Sequence, residues 1–258
     1  MPIAVDPSSP ARATGSHLYD TTTVTTAAFN PPAGVLVACV GANSRSSPAT
    51  GVSGEITNNG AALDWQVVPS GGASPGQRSV NDAGGDLGYA GIFVAVLDEA
   101  RTGMTLTLTI TGSTGSTNVG APSIKSYVLT GAATADVIGG SNEGSSTANN
   151  LTTGAFTTAA ADSLGFSAAS DWNALGNPTS SDSTVDAFTT PGGVLSGASG
   201  YKTLGAAAES ATLNLDAPGT GAARWNWVTA EVKAASVATP PVVEDPPMYL
   251  RRVAPARR

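Results

Sequence analysis

Residues 103–112 read GMTLTLTITG, and a chain with this pattern has one good way to bury its apolar groups. Met104, Leu106, Leu108 and Ile110 alternate with Thr105, Thr107, Thr109 and Thr111. A strand sends the first set to one face and the threonines to the other, whereas a helix would scatter both around its axis. Four β-branched threonines add to the strand preference. The same grammar runs along the chain: TTTVTTAAF (21–29) alternates, NPPAG (30–34) is a turn, and GVLVACVGA (34–42), GYAGIFVAVL (88–97) and SIKSYVLTG (123–131) have strand length. GYAGIFVAVL is apolar at consecutive positions, which predicts a central strand covered on both faces.

The stretch GEITNNGAALDWQVV (54–68) reads as a hairpin turning at Asn59-Gly60, residue types that tolerate positive φ. Its alternating Leu63, Trp65 and Val67 fall on one face. The second half repeats this manner more weakly. NLTTGAFTT (150–158), SLGFSAAS (163–170), STVDAFTT (183–190), VLSGASGYKTL (194–204), SATLNLDA (210–217) and RWNWVTAEVKA (224–234) are its candidate strands. Turn residues recur every 8–15 positions and no amphipathic helix is present, so the expected fold is an all-β, jelly-roll-like β-sandwich with extended N- and C-terminal arms. A chain of 258 residues can bury one sizeable core of this kind.

Three segments follow. Residues 1–17 form an extended N-terminal arm with Pro2, Pro7 and Pro10, residues 18–235 the sandwich, and residues 236–258 a Pro-rich basic C-terminal arm. Residues 1–235 carry 17 acidic and 8 basic residues, whereas 236–258 carry 2 and 4. An acidic body does not draw nucleic acid or anionic lipid at long range. No apolar run reaches the roughly 18 residues of a membrane helix, and the first residues lack the apolar core of a secretory signal. A chain made and folded in a cytoplasm, without membrane insertion, is the expectation. Within the C-terminal arm, Met248, Tyr249 and Leu250 form an apolar cluster beside Arg251 and Arg252, with Arg257 and Arg258 at the end. An inert linker does not need such a cluster. A peptide that binds an acidic protein surface does, with the apolar residues as anchors and the arginines paired with a neighbour's acids.

Catalytic signatures are not found. Cys39 and His17 are single, so neither a disulfide within the chain nor a Cys/His metal cluster can form. Cys39 lies in GVLVACVGA, where a small core residue is expected. Neither a GxSxG elbow nor a phosphate loop occurs. Asp82 and Asp86, or Asp98 and Glu99, could supply a carboxylate pair, but only Tyr89 and Phe93 lie near them in sequence to stack on a sugar. NDAGGD (81–86) matches no calcium loop. Neither catalysis, a cofactor nor a metal is expected. Trp225 and Trp227 share a strand face and belong in a core. Trp172, in the loop-like SDWNALGNP (170–178), is the best single candidate for contact with a ligand. The twenty residues 69–88 form a loop longer than a compact domain usually carries.

The succession PPAGVLVACVGAN, ITNNGAALDWQVV, GYAGIFVAVLDEARTGMTLTLTITG and SYVLTGA resembles a β-sandwich domain of virion proteins from tailed bacteriophages infecting actinobacteria, often called minor tail proteins. The resemblance covers roughly residues 18–235 and its motifs are structural. It implies a sandwich fold, a place in a virion assembled in the host cytoplasm, a homo-oligomer, and contact with other virion proteins through the C-terminal arm. It implies no catalytic residues. Capsid decoration is the nearest alternative. A glycan-binding module for the host surface, using Trp172, is a third.

Overall fold

The computed structural model describes residues 2–15, 22–44, 52–68, 77–81, 87–112, 119–146, 150–171, 176–189, 195–216 and 225–236. Among them no helix occurs. The first half carries β1 (Ala4–Val5), β2 (Ala13–Thr14), β3 (Thr23–Thr25), β4 (Gly34–Ser44), β5 (Val52–Asn58), β6 (Gln66–Val67), β7 (Gln77–Asn81), β8 (Leu87–Leu97), β9 (Leu106–Gly112) and β10 (Val119–Thr130). The second carries β11 (Ile138–Ser146), β12 (Asn150–Thr152), β13 (Phe156–Thr157), β14 (Leu164–Asp171), β15 (Thr184–Thr189), β16 (Ser196–Thr203), β17 (Ser210–Ala211), β18 (Asn214–Asp216) and β19 (Trp225–Val232).

These strands build the same sandwich twice. In the first half a central sheet runs β10-β4-β8, flanked by β1 and β2 beside β10 and by β6 and β7 beside β8. In the second half a central sheet runs β19-β14-β16, flanked by β11 beside β19 and β15 beside β16. An outer sheet β3-β9-β5 covers the first. Two short ribbons, β12-β18 and β13-β17, cover the second. There β12 and β13 take the place of β3, β17 and β18 that of β9, and a Thr179–Asp216 bridge that of β5.

The two central sheets pack face to face. Val35, Val37, Cys39, Ile92, Val94, Tyr127 and Leu129 from one meet Leu164, Phe166, Ala168, Val228, Ala230 and Val232 from the other in one core. β8 faces β19. β10 faces β16, with the Tyr127 and Tyr201 rings 5.4 Å apart. The halves therefore meet as two copies would across a two-fold axis. On the opposite face of the first sheet, Leu36, Ala38, Val40, Phe93 and Val128 pack against Met104, Leu106, Leu108 and Ile110. Both central sheets are thus buried on both faces, which is why β8 is apolar at consecutive positions and why every residue of β14 and β19 is buried. Small residues allow close approach: Ser170 Oγ donates across the interface to the Tyr89 carbonyl at 2.7 Å. A fully buried Val, Leu, Ile or Phe contributes about 1.5–3 kcal/mol, so these stacked cores dominate stability.

The all-β sandwich and the facing of the Thr-alternating strand agree with the sequence reading. Leu63, Trp65 and Val67 share a face and pack against the outer core. The hairpin at Asn59-Gly60 is corrected. Gly60 does take a positive φ of 75°, but β5 pairs with β9 and β6 pairs with β8. The chain turns there and changes sheets. Two asparagines explain this. Asn59 Nδ2 donates to the Gly103 carbonyl and its Oδ1 accepts from the Thr105 amide, at 2.9 and 2.8 Å. Asn58 Oδ1 accepts from the Leu63 amide at 3.0 Å. The Asn59 bonds tie the turn to the start of β9, the partner of β5, and the Asn58 bond shapes the turn itself, so β5 and β6 do not pair.

Candidate functional site

Met248, Tyr249, Leu250, Arg251, Arg252, Arg257 and Arg258 lie outside the described residues, as do Trp172, His17, Asp82 and Asp86. Trp225 and Trp227 are buried beneath the β12-β18 ribbon with Leu151 and Leu215. Cys39 is buried in the core between the central sheets, and burial pushes its thiol up to about 12. Asp98 and Glu99 are exposed, just after β8. Among the described residues no group of three or more His, Cys, Asp or Glu could hold a metal ion, and no helix is long and apolar enough to cross a membrane.

The described polar constellations tie strands together, and the fullest involves the N-terminal arm. β1 and β2 pair antiparallel along the free edge of β10. From this arm Arg12 reaches across to the second half. Its Nε donates to Asp186 Oδ1 at 2.5 Å, its Nη1 to Ser123 Oγ at 2.8 Å, and its Nη2 to the Asp186 carbonyl and Ser199 Oγ. The guanidinium also lies 4.6 Å from the centre of the Phe188 ring. Lys125 supports the same carboxylate from 3.6 Å and donates to the Pro10 carbonyl at 2.8 Å. An arginine suits this place because its planar fork spreads several hydrogen bonds and stacks on a ring. In the second half, fully buried Glu231 receives three backbone amides: Gly140 and Ala159 on Oε2, at 2.9 and 2.6 Å, and Ala160 on Oε1, at 2.9 Å.

Two clefts at sheet edges among the described residues are related by the pseudo-two-fold. One, of about 370 Å³, is lined by Val5, Asp6, Lys125, Tyr127, Asp186 and Tyr201, between the arm and the β15 edge. Its counterpart lies where β6 and the end of β8 meet the segment leading into β11, with Gln66, Val67, Val96, Asp136, Val137 and Ile138 around about 520 Å³. The equivalence is direct, because Gln66 pairs with β8 as Thr184 pairs with β16, and Val5 pairs with β10 as Ile138 pairs with β19. An adjoining cleft of about 460 Å³ shares Gln66, Val96 and Val137 and adds Leu63, Asp64, Asp98, Glu99 and Arg101. The combined groove has an aliphatic floor and an acidic rim.

Sequence reasoning did not find Arg12, Asp186 or Glu231, because their partners are far apart in the chain and no local motif marks them. Comparison with protein-family models, curated proteins and solved structures returned no match to this chain.

Proposed function

We propose that this chain is a structural subunit of a tailed-bacteriophage particle, a minor tail or tail-tip protein that assembles through its terminal arms. The observation that carries this reading is the N-terminal arm, an extended segment laid as strands on a sheet edge of its own chain and locked there by Arg12, a mode in which a like arm can also engage a neighbouring subunit. The polar groups described above support it, since Arg12 and Glu231 are used on strand and sheet junctions. The sequence resemblance supplies the virion setting. The test is to purify particles of a phage encoding the chain, identify the chain by mass spectrometry, and locate it with antibody-gold labelling. Label at the tail tip supports the reading. Label on the shell moves the chain to capsid decoration, and absence from purified particles rejects a virion role.

Recognition of a host-surface glycan has one observation in its favour. Half-buried Tyr201 lines the 370 Å³ cleft together with Asp6 and Asp186, and an aromatic face beside carboxylates suits a sugar. Loss of cell-wall glycan binding in a Tyr201→Ala variant that keeps its melting temperature would support it. Unchanged binding would remove this cleft from the reading.

A further inference from the structure

We propose that the acidic groove beside β6 and the end of β8 receives the C-terminal segment of a second copy of this chain. Met248, Tyr249 and Leu250 lie on its aliphatic floor, and Arg251 and Arg252 face its carboxylates. The inference rests on the assembly reading above and names the surface that the arm engages.

The chemistry of the groove fits this occupant. Its floor is Val96 and Ile138, both partly buried, with Val137 buried. Its rim carries Asp64, Asp98, Glu99 and Asp136, all exposed. The rim cation Arg101 is engaged with the Ala61 carbonyl, and neighbouring Lys233 with Asp136. Carboxylates therefore outnumber cations around a strip of apolar surface. The C-terminal segment is the complement, with three apolar residues followed by two arginines in a stretch whose balance is basic.

The first half of the chain supplies an internal precedent. Near the equivalent cleft of the other half, a terminal arm lies against the sheet edge and an arginine from it pairs with Asp186. In the pseudo-two-fold counterpart β11 fills the place of β1 on the sheet edge, and the groove beside it carries more carboxylates.

Reach favours a second copy over the same chain. The last described residues sit at the groove already, since the Lys233 amide donates to the Val137 carbonyl and the Ala235 amide to the Gly131 carbonyl, both at 2.9 Å. Residues 237–247 separate that exit from Met248 and include Pro240, Pro241, Pro246 and Pro247. Extended chain covers about 3.1 Å per residue, so eleven residues can reach at most about 34 Å, far enough for a second copy. A segment meant for its own groove would need only a few residues.

The test uses full-length protein and light scattering after size exclusion, over a wide range of concentration. Wild type is expected to self-associate, more weakly as salt rises. Asp98→Arg/Glu99→Arg in the groove and Arg251→Glu/Arg252→Glu in the arm are each expected to weaken association at least about tenfold. Mixing the two charge-reversed chains is expected to restore it. The altered groove residues are exposed, so melting temperatures should stay at the wild-type value. The milder Asp98→Asn/Glu99→Gln pair covers the case in which a reversed chain folds poorly, and is expected to weaken association less. If arm variants abolish association while groove variants keep wild-type affinity, the groove is wrong and the assembly reading survives. A wild-type chain that is monomeric throughout overturns association in trans altogether, and a crosslink from the arm to its own groove in that monomer would assign the arm to its own chain.

Discussion

Thr26 and Thr153 hold the same position in the two halves of the molecule and use their side chains in the same way. Thr26 Oγ1 accepts from the Leu106 amide at 3.0 Å while its own amide donates to the Leu106 carbonyl at 2.9 Å. Thr153 Oγ1 accepts from the Leu213 amide at 2.9 Å while its amide donates to the Leu213 carbonyl at 3.0 Å. Both threonines are buried. Three residues on, Phe29 bridges Met104 and Phe156 pairs with Ala211. Each threonine thus closes an outer strand, β3 or β12, with its hydroxyl in place of its own carbonyl as acceptor for the facing leucine amide.

Replacing either threonine with valine keeps the shape and leaves a buried amide without its acceptor. Each change is expected to cost about 1–3 kcal/mol, and the two costs should be alike because the sites are equivalent. Thr→Ser at the same positions keeps the bond and should lose about 1 kcal/mol or less. Urea unfolding of the four variants measures this. Valine variants as stable as the serine ones would show that the hydroxyls contribute nothing.

The Arg12–Asp186 tie predicts that the N-terminal arm and the second half are energetically coupled. The Arg12 side chain is 8% exposed and that of Asp186 32%, so the pair is partly screened and well short of a fully buried one. Arg12→Met is expected to destabilise the chain by about 2 kcal/mol, the scale of hydrogen bonds to charged groups, with Asp186 kept tolerable by Lys125. Hydrogen exchange at the Asp6 and Ser9 amides, which donate to the Val128 and Asp6 carbonyls, should quicken in the same variant. A double-mutant cycle with Asp186→Asn should show coupling. Additive costs would mean that the arm is held by β10 alone.

Much of this fold was legible in local pattern and much was not. The alternation of residues 104–111 gave the facing of β9 correctly, and the unbroken apolar run of β8 gave a strand covered on both sides. Asn59-Gly60 marked a turn, yet only tertiary hydrogen bonds to Gly103 and Thr105 decide that the flanking strands part company. The duplication left a readable trace, VTTAAF at 24–29 against LTTGAF at 151–156, and TLTL at 105–108 against TLNL at 212–215. It is short because only the Thr hydroxyl, the aromatic and the leucines are needed at fixed places. The Arg12 tie is 174 residues long in sequence, a separation that no periodicity encodes. The same holds for the groove, whose walls come from residues 63–67, 94–101 and 134–141.

Asp182 gives the chain a defined response to acid. Burial works to raise its carboxyl, but hydrogen bonds from Lys202, Ser183, Ser180 and Asn214 outweigh it and hold the group below its ordinary value. The folded state therefore favours the carboxylate. Its contribution is present above the unfolded-state value, near 3.9, and is lost as pH falls through the lower folded value. Asp182→Asn should lower stability at pH 7 by about 1 kcal/mol, on the scale of a few hydrogen bonds at a partly exposed site. The deficit should shrink below about pH 4. Thermal melts of both proteins across that range check it, and a deficit constant with pH would assign the effect to packing instead of charge.

Cys39 turns the core between the two halves into something that can be timed. It is the only cysteine in the chain and lies 1% exposed among Val37, Ile92, Phe166 and Ala168. Burial raises its thiol to about 12, and the thiolate is the reactive form. A thiol reagent at pH 8 should therefore leave the folded chain untouched and label it only as fast as the central sheets separate. Labelling should rise in denaturant with the same midpoint as global unfolding if the two sandwiches come apart together. A lower midpoint for labelling would mean that the halves open at their interface before either unfolds. Substitution adds an independent readout, since the site faces a second sheet across small residues. Cys39→Ala should cost on the order of 1 kcal/mol for the lost volume, while Cys39→Leu should cost about 1–3 kcal/mol because the facing sheet leaves no room for it. A leucine accepted without loss would show that the interface is looser than its buried residues indicate.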